Sequence, residues 1–305
     1  MLLSLRELQQ LSNSFMFRLN LNQFKEKTMS GVFLLSAFAS IFFVLLICVF
    51  LFANGIPAMQ KIGFFQFLFG KIWAPTDEPA LYGIFPMILG SLYVTLGALV
   101  IGISVGILSA VYLARFCPAQ LHKRLKPAVD LLAGIPSVVY GFFGLVVIVP
   151  FVRTYFGGSG ASILAASFLL GMMILPTIIS VSEAAIRAVP NSYYEGALAL
   201  GATHERSVFF AVLPAAKSGI TAAIVLGFGR AIGETMAVIL VAGNQARMPN
   251  GILNGVRTLT ANIVLEMGYA TDLHREALIA TGVVLFAFIL IINLIFSVLK
   301  RRGHV

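Results

Sequence analysis

The chain is short of charge. Only 11% of its 305 residues are Asp, Glu, Lys or Arg, against roughly 25% in an average soluble domain. With 59% hydrophobic residues and a mean hydropathy of +0.96, that shortage excludes a soluble globular protein and defines a membrane one. Cysteine is scarce too. Cys48 and Cys117 match no metal or redox spacing, so they read as packing thiols. His122, His204, His274 and His304 are scattered without ligand spacing. The sequence has no Gly-x-x-x-x-Gly-Lys-Ser/Thr loop, no His-Glu-x-x-His and no Gly-x-Ser-x-Gly. No metal, bound cofactor or catalytic reaction is therefore expected of this chain. The formal charge of +9 would suit nucleic acid only if it were concentrated in a soluble patch, and it is not.

What is present is a succession of apolar runs. The first expected span is Val32–Phe52, uncharged and long enough for about 30 Å of hydrocarbon. Residues 1–29 before it are mixed and basic, with an amphipathic stretch at Leu2–Leu11, and lack a signal cleavage site. Ala53–Pro86 reads as non-spanning, its Phe64–Phe69 piece lying at the interface with Lys71 and Trp73. Further spans are expected at Met87–Leu113, Val129–Phe151 (interrupted at Gly134, Pro136, Gly141 and Gly144), Ser162–Val181, Gly219–Val241 and Ala277–Leu299. This divides the chain into a terminal segment 1–29, a region 30–86 with the first span and interfacial segment, a core 87–299 of five spans, and a tail 300–305. Six spans put both termini on one side. That side carries 14 Lys and Arg against 6 on the other, which places it in the cytoplasm.

One basic residue, Arg230, falls inside a span. Four residues on is Glu234, on the same face of a continuous helix. A charge at membrane depth costs at least about 2.5 kcal/mol and needs a partner or water. Two readings stand side by side. Glu234 neutralises Arg230 as a structural pair, or the guanidinium offers a fork to a passing oxyanion. A carboxylate beside that path accommodates an anion that keeps a hydroxyl, such as hydrogen phosphate. Gly229 and Gly233 form a small-x-x-x-small strip for close helix packing. Ser137 and Tyr140 follow a Gly-Ile-Pro interruption, where polar groups line pathways. Asp130 reads as an interfacial charge beside Lys126, and Glu183 with Arg187 as a surface pair.

The polar interruption at 190–214 is the most informative stretch. Pro190 and Asn191 start a helix capped by the asparagine, Gly201 breaks it, and a second short helix ends at Pro214, leaving a tip of Thr203, His204, Glu205 and Arg206. Glu195-Gly196-Ala197, Gly201 and Val212-Leu213-Pro214 resemble the EAA loop of ABC-importer permeases. Gly196 and Ala211 stand where that pattern has alanine and isoleucine. The run Gly229-Arg230-Ala231-Ile232-Gly233-Glu234-Thr235 resembles the signature of phosphate-importer permeases, and Met236-Ala237-Val238 after it resembles the PstC type. Phe69-Gly70-x-x-Trp73-x-Pro75, Ala133 to Gly141 and Ile186-Arg187-x-Val189-Pro190 agree. Molybdate and sulfate permeases share the elbow and a similar fifth span.

The resemblance implies an all-α, MetI-like permease of six transmembrane helices in a bacterial inner membrane. It implies a path using Arg230 and Glu234, to which Thr235, next in the run, and Ser137, at the Gly-Ile-Pro interruption, are added as candidates from their own positions. It also implies coupling through Glu195, Gly196, Ala197, Gly201, His204, Glu205, Arg206, Leu213 and Pro214. The partners it implies are a PstA-type second permease, a cytoplasmic ATPase dimer that holds the ATP and Mg, and an extracytoplasmic phosphate-binding protein. A passive channel is the other class considered. It has no use for the elbow, and one Arg–Glu pair is a poor filter.

Overall fold

A computed structural model describes the backbone of residues 5–302 and the side chains of residues 25–298. The side chains of the Leu2–Leu11 stretch and of the Lys300–Arg302 tail lie outside that range. The chain forms two compact units, Met1–Ala53 and Asn54–Val305.

Helix α1 (Leu5–Ile62) carries the first apolar run and continues about ten residues past the expected end at Phe52. Pro57 sits inside it, and the stop is Gly63 at φ 94°. The next helix is α2 (Phe64–Phe69), at the expected interfacial segment. A two-residue hairpin follows, β1 (Trp73–Ala74) against β2 (Leu81–Tyr82), with Trp73 opposite Tyr82. With the isolated bridge between Gly243 and Val256, it makes up the β pairing among the described residues.

The second span is α3 (Phe85–Val111), extended by a π-turn at Tyr112–Phe116. Amphipathic α4 (Ala119–Ala133) comes next, and the chain breaks at Gly134-Ile135-Pro136 before α5 (Ser137–Phe143). A π-turn at Gly144–Ile148 joins α5 to α6 (Val149–Phe156), and together they run as one apolar helix. The third crossing is therefore Ser137–Phe156, not Val129–Phe151. Pro136 biases Ile135 away from helical backbone and separates α4 from the span.

Helix α7 (Ile163–Arg187), capped by Ser162, is the most buried of the five continuous spans among the described residues. It packs along α3 at very short range. A Cβ on Gly97 would stand 2.3 Å from Ser167 Oγ, and one on Gly102 would stand 2.6 Å from Ile174 Cδ1. Two helices in lipid gain from van der Waals contact rather than from hydrophobic exclusion, so small residues set their approach.

The elbow consists of α8 (Asn191–Ala199), α9 (His204–Ser207), a π-turn at Val208–Val212 and the single turn α10 (Leu213–Ala215). Pro190, not Asn191, is the residue before the first helical turn, and no side chain caps it. After a 69° bend, the fifth crossing is α11 (Lys217–Gly233) followed by α12 (Met236–Val241). A loop and α13 (Leu259–Glu266) lead to the last span, α14 (Asp272–Arg302). Among the described residues five helical runs are long and apolar enough to cross a membrane, and counting the bent pair His204–Ala215 with Lys217–Gly233 as one span brings them to six.

Candidate functional site

The fifth crossing is interrupted where its charges lie. Helix α11 ends at Gly233, Glu234 is extended (φ −69°, ψ 134°), and Thr235 is non-helical at φ −121°, ψ −61°. An unpaired backbone group in hydrocarbon costs several kcal/mol, so the freed groups need partners. Thr235 Oγ1 donates to the Gly233 carbonyl at 3.3 Å, and Thr260 Oγ1 donates to the Glu234 carbonyl at 3.0 Å. Glu234 Oε1 accepts from the Ala237 amide at 3.2 Å and so caps α12.

This corrects the expectation of a shared helical face. Arg230 and Glu234 are one turn apart in number, but the helix ends between them. The Glu234 carboxylate serves α12, and no ion pair joins it to Arg230 among the described residues. Arg230 is half-buried, with its charge within electrostatic reach of Tyr140 on α5. The Tyr140 hydroxyl donates across the other interruption to Leu132 at 2.9 Å. Helices α5 and α12 touch, since a Cβ on Gly141 would stand 2.8 Å from Ala237 Cα. The start of the third crossing and the broken fifth crossing are thus neighbours, with Ser137, the first residue of α5, one turn before Tyr140. Gly229 and Gly233 are exposed, and no heavy atom lies within 4 Å of where their Cβ would be. The close approach expected of this strip is not made by any helix of this chain among the described residues.

At the elbow, Gly201 has φ 82°, a left-handed conformation that glycine adopts without steric cost. Thr203 Oγ1 accepts from the Arg206 amide and caps α9. The expected tip divides in two. Glu205 and Arg206 point outward and Leu200 is 91% exposed. His204 turns inward, its Nδ1 2.7 Å from the Tyr194 hydroxyl and its ring 4.8 Å from that of Phe116. Glu195, Gly196 and Pro214 are exposed, while Ala197 and Leu213 are half-buried. A groove of about 350 Å³ lies at the root, lined by residues including Ala188, Pro190, Tyr193 and Ala215.

Two buried acid clusters were not legible in the sequence. The Glu183 side chain, only 4% exposed, takes His122 Nε2 at 2.7 Å, Arg187 Nε at 2.9 Å and Lys126 Nζ at 3.4 Å. It is the hub that pins α4 onto α7, not half of a surface pair. Asp130 joins through Lys126 at 3.1 Å and Ser180 at 3.1 Å. Arg115 donates to the Ile186 carbonyl and Arg187 to the Leu113 carbonyl, so the ends of α3 and α7 are cross-tied. In the second cluster, buried Glu266 accepts from Trp73 Nε1 at 2.9 Å, pairs with His274 Nε2 at 2.8 Å and takes Arg257 Nη1. The Tyr269 phenol beside it is held above its usual range by burial and then by the Glu266 carboxylate, with Arg257 opposing. A lone acid among apolar residues at 259–270 was the available signal.

A polytopic helical bundle with an elbow between crossings and a charged interruption inside one of them defines a membrane permease. The comparisons agree. Residues 102–304 match the family described as binding-protein-dependent transport system inner membrane component, and the chain belongs to it. It is 41% identical over 239 residues to the probable ABC transporter permease protein YqgH of Bacillus subtilis, covering 76% of this chain and 77% of that protein. It is 34% identical over 263 residues to the phosphate transport system permease protein PstC of Mesorhizobium japonicum, with 79% and 80% covered. The probable PstC of Methanocaldococcus jannaschii is 30% identical over 308 residues, with 93% and 96% covered. The inward-facing MetNI methionine ABC transporter has the same fold, with a TM-score of 0.59 at 21% identity over 72% of this chain and 95% of that one. The bacterial alginate ABC transporter does too, at 0.55 and 19%, covering 86% and 94%. The chain is thus a multi-pass permease component of the inner membrane, a transport subunit rather than a catalytic enzyme.

Proposed function

We propose that this chain is the permease subunit of an ATP-driven importer for inorganic phosphate. The observation that carries the reading is Arg230. It is a half-buried guanidinium at membrane depth with no carboxylate partner among the described residues, in a chain related to PstC proteins. An Arg fork recognises phosphate oxygens by paired hydrogen bonds. Glu234, Thr235 and Ser137 belong to the same path, at the two interruptions that border it. Interrupted helices free backbone groups for a substrate near the membrane centre.

The sequence carries no Gly-x-x-x-x-Gly-Lys-Ser/Thr loop, so in this reading ATP and Mg belong to a cytoplasmic ATPase dimer. That dimer grips the outward face of the elbow, from Glu195 to Arg206. The uneven distribution of Lys and Arg supports cytoplasmic termini and elbow. A PstA-type second permease packs against the open Gly229–Gly233 strip, and an extracytoplasmic phosphate-binding protein delivers substrate.

The test is uptake of labelled phosphate by the complete complex in proteoliposomes, with molybdate and sulfate as competitors. ATP-dependent phosphate uptake that neither competitor blocks is the expected result. Uptake of molybdate or sulfate alone would reassign the substrate, and uptake without ATP would make the chain a passive channel.

A further inference from the structure

The break in the fifth crossing is held from outside the helix. Gly233, Glu234 and Thr235 contain no proline, and Glu234 extends away from α-helical backbone within the apolar run Gly219–Val241 of the sequence. A partner must make that conformation preferable to a continuous helix. The hydroxyl of Thr260, a residue 7% exposed, donates to the Glu234 carbonyl at 3.0 Å. A hydroxyl has one proton. With that proton given to Glu234, the Thr258 hydroxyl must be the donor in its 3.1 Å contact with Thr260.

Thr260 is itself fixed at both ends of α13. At the N-terminal end, Ser91 Oγ accepts from the Leu259 amide at 2.9 Å, and Thr258 caps the helix at the Ala261 amide. At the other end Glu266 is locked by Trp73, Arg257 and His274. Eight helical residues span about 12 Å, so α13 is a short strut between the Glu266 cluster and the interrupted span.

We infer that Thr260 is a positioning residue for the translocation path. It holds the Glu234 peptide out of the helix, so that the Glu234 carboxylate caps α12 and leaves Arg230 without an ion-pair partner. The inference rests on the phosphate-import reading for what is transported, and on geometry alone for the break.

The test uses the complete complex with Cys48 and Cys117 replaced by Ser and a reporter Met236→Cys at the start of α12, where Met236 is 45% exposed. Uptake of labelled phosphate and the thiol-labelling rate of the reporter are measured for wild-type Thr260, Thr260→Val and Thr260→Ser. Valine keeps the shape and removes the donor; serine keeps the donor. Thr260→Val should lower the maximal uptake rate about tenfold, the scale set by one unsatisfied buried carbonyl. The half-saturating phosphate concentration should stay unchanged, and the labelling rate should shift. Thr260→Ser should match wild type in both.

Wild-type behaviour of Thr260→Val overturns the inference, as does equal impairment of the serine variant. If the valine variant does not assemble, Thr260→Ala takes its place. Failure of both to assemble would make the hydroxyl a folding determinant and also overturns the inference. If even wild type carries no phosphate while labelling still separates valine from serine, the substrate reading fails and the positioning role stands.

Discussion

The Tyr194 hydroxyl and His204 Nδ1, ten residues apart, meet at 2.7 Å and join the two halves of the elbow across Gly201. The His204 ring also rests edge-on against Phe116, the last residue of the π-turn that ends the α3 crossing. His204 is therefore an internal link from the elbow to a span, whereas Glu205 and Arg206 form its outward face. Replacing His204 with Ala should reduce phosphate uptake per ATP hydrolysed several-fold while the ATPase still co-purifies. Tyr194→Phe, which removes one hydrogen bond of about 1 kcal/mol, should have a smaller effect in the same direction. Loss of ATPase binding in His204→Ala would instead place this residue at the contact surface.

Gly201 tests the elbow through its backbone. At φ 82° a β-branched residue is strained, at a cost of roughly 1–3 kcal/mol. No neighbour lies within 4 Å of the missing Cβ, so the strain is in the backbone and not in packing. Gly201→Val should leave the protein in the membrane at normal abundance and sharply lower uptake. Gly201→Asn, which tolerates left-handed backbone better, should be intermediate. Equal uptake in all three proteins would separate the turn from coupling.

Glu183 sets how firmly α4 is held. Its carboxylate pairs with Lys126 and Arg187 and shares a hydrogen bond with His122 from a site nearly closed to water. Removing one member of a buried ion cluster costs about 3–5 kcal/mol, and the partial exposure of Lys126 and Arg187 places this cluster near the low end. Glu183→Ala should lower the thermal unfolding midpoint of the purified complex clearly, and Glu183→Gln should lower it less. No difference between the alanine variant and wild type would show that α4 is held by other contacts.

These three sites differ in how much of them the sequence revealed. The elbow was legible because its determinants are local: Gly201 at a turn, Thr203 before a helix, Leu213-Pro214 at the end. The six crossings were legible because hydropathy sums over twenty residues and tolerates errors at the ends. Glu183 was not, because its burial depends on α4 folding back onto α7, and Gly-Ile-Pro marks a break without giving its direction. The break at Glu234 was hidden for a related reason. Gly233 is a weak breaker, helical periodicity puts Arg230 and Glu234 on one face, and the group that interrupts the helix is Thr260, 26 residues further on. The Phe64–Phe69 helix was visible from composition, but its tie to Glu266 through Trp73 spans 193 residues.

The last prediction separates the two residues that periodicity had paired. Glu234 accepts the Ala237 amide and caps α12, whereas Arg230 has no ion pair among the described residues. Their neutral variants should therefore fail differently. Arg230→Gln removes the formal positive charge from the interior of the broken crossing, whose other cation, Lys217, is the first residue of α11, but no side-chain hydrogen bond found among the described residues. It should abolish phosphate uptake, by at least about a hundredfold if the guanidinium makes charge-assisted bonds worth roughly 3 kcal/mol, with the complex intact. Glu234→Gln keeps an oxygen that still accepts from Ala237, so α12 should stay capped and the complex should assemble with uptake reduced less. Glu234→Ala loses the cap as well, at about 1 kcal/mol, and should lower stability in addition. Co-purification of the ATPase, thermal stability and uptake of labelled phosphate on the same three preparations decide the matter. If Arg230→Gln lost the complex along with uptake, the guanidinium would be a structural clasp to the second permease, and the path would have to be sought elsewhere.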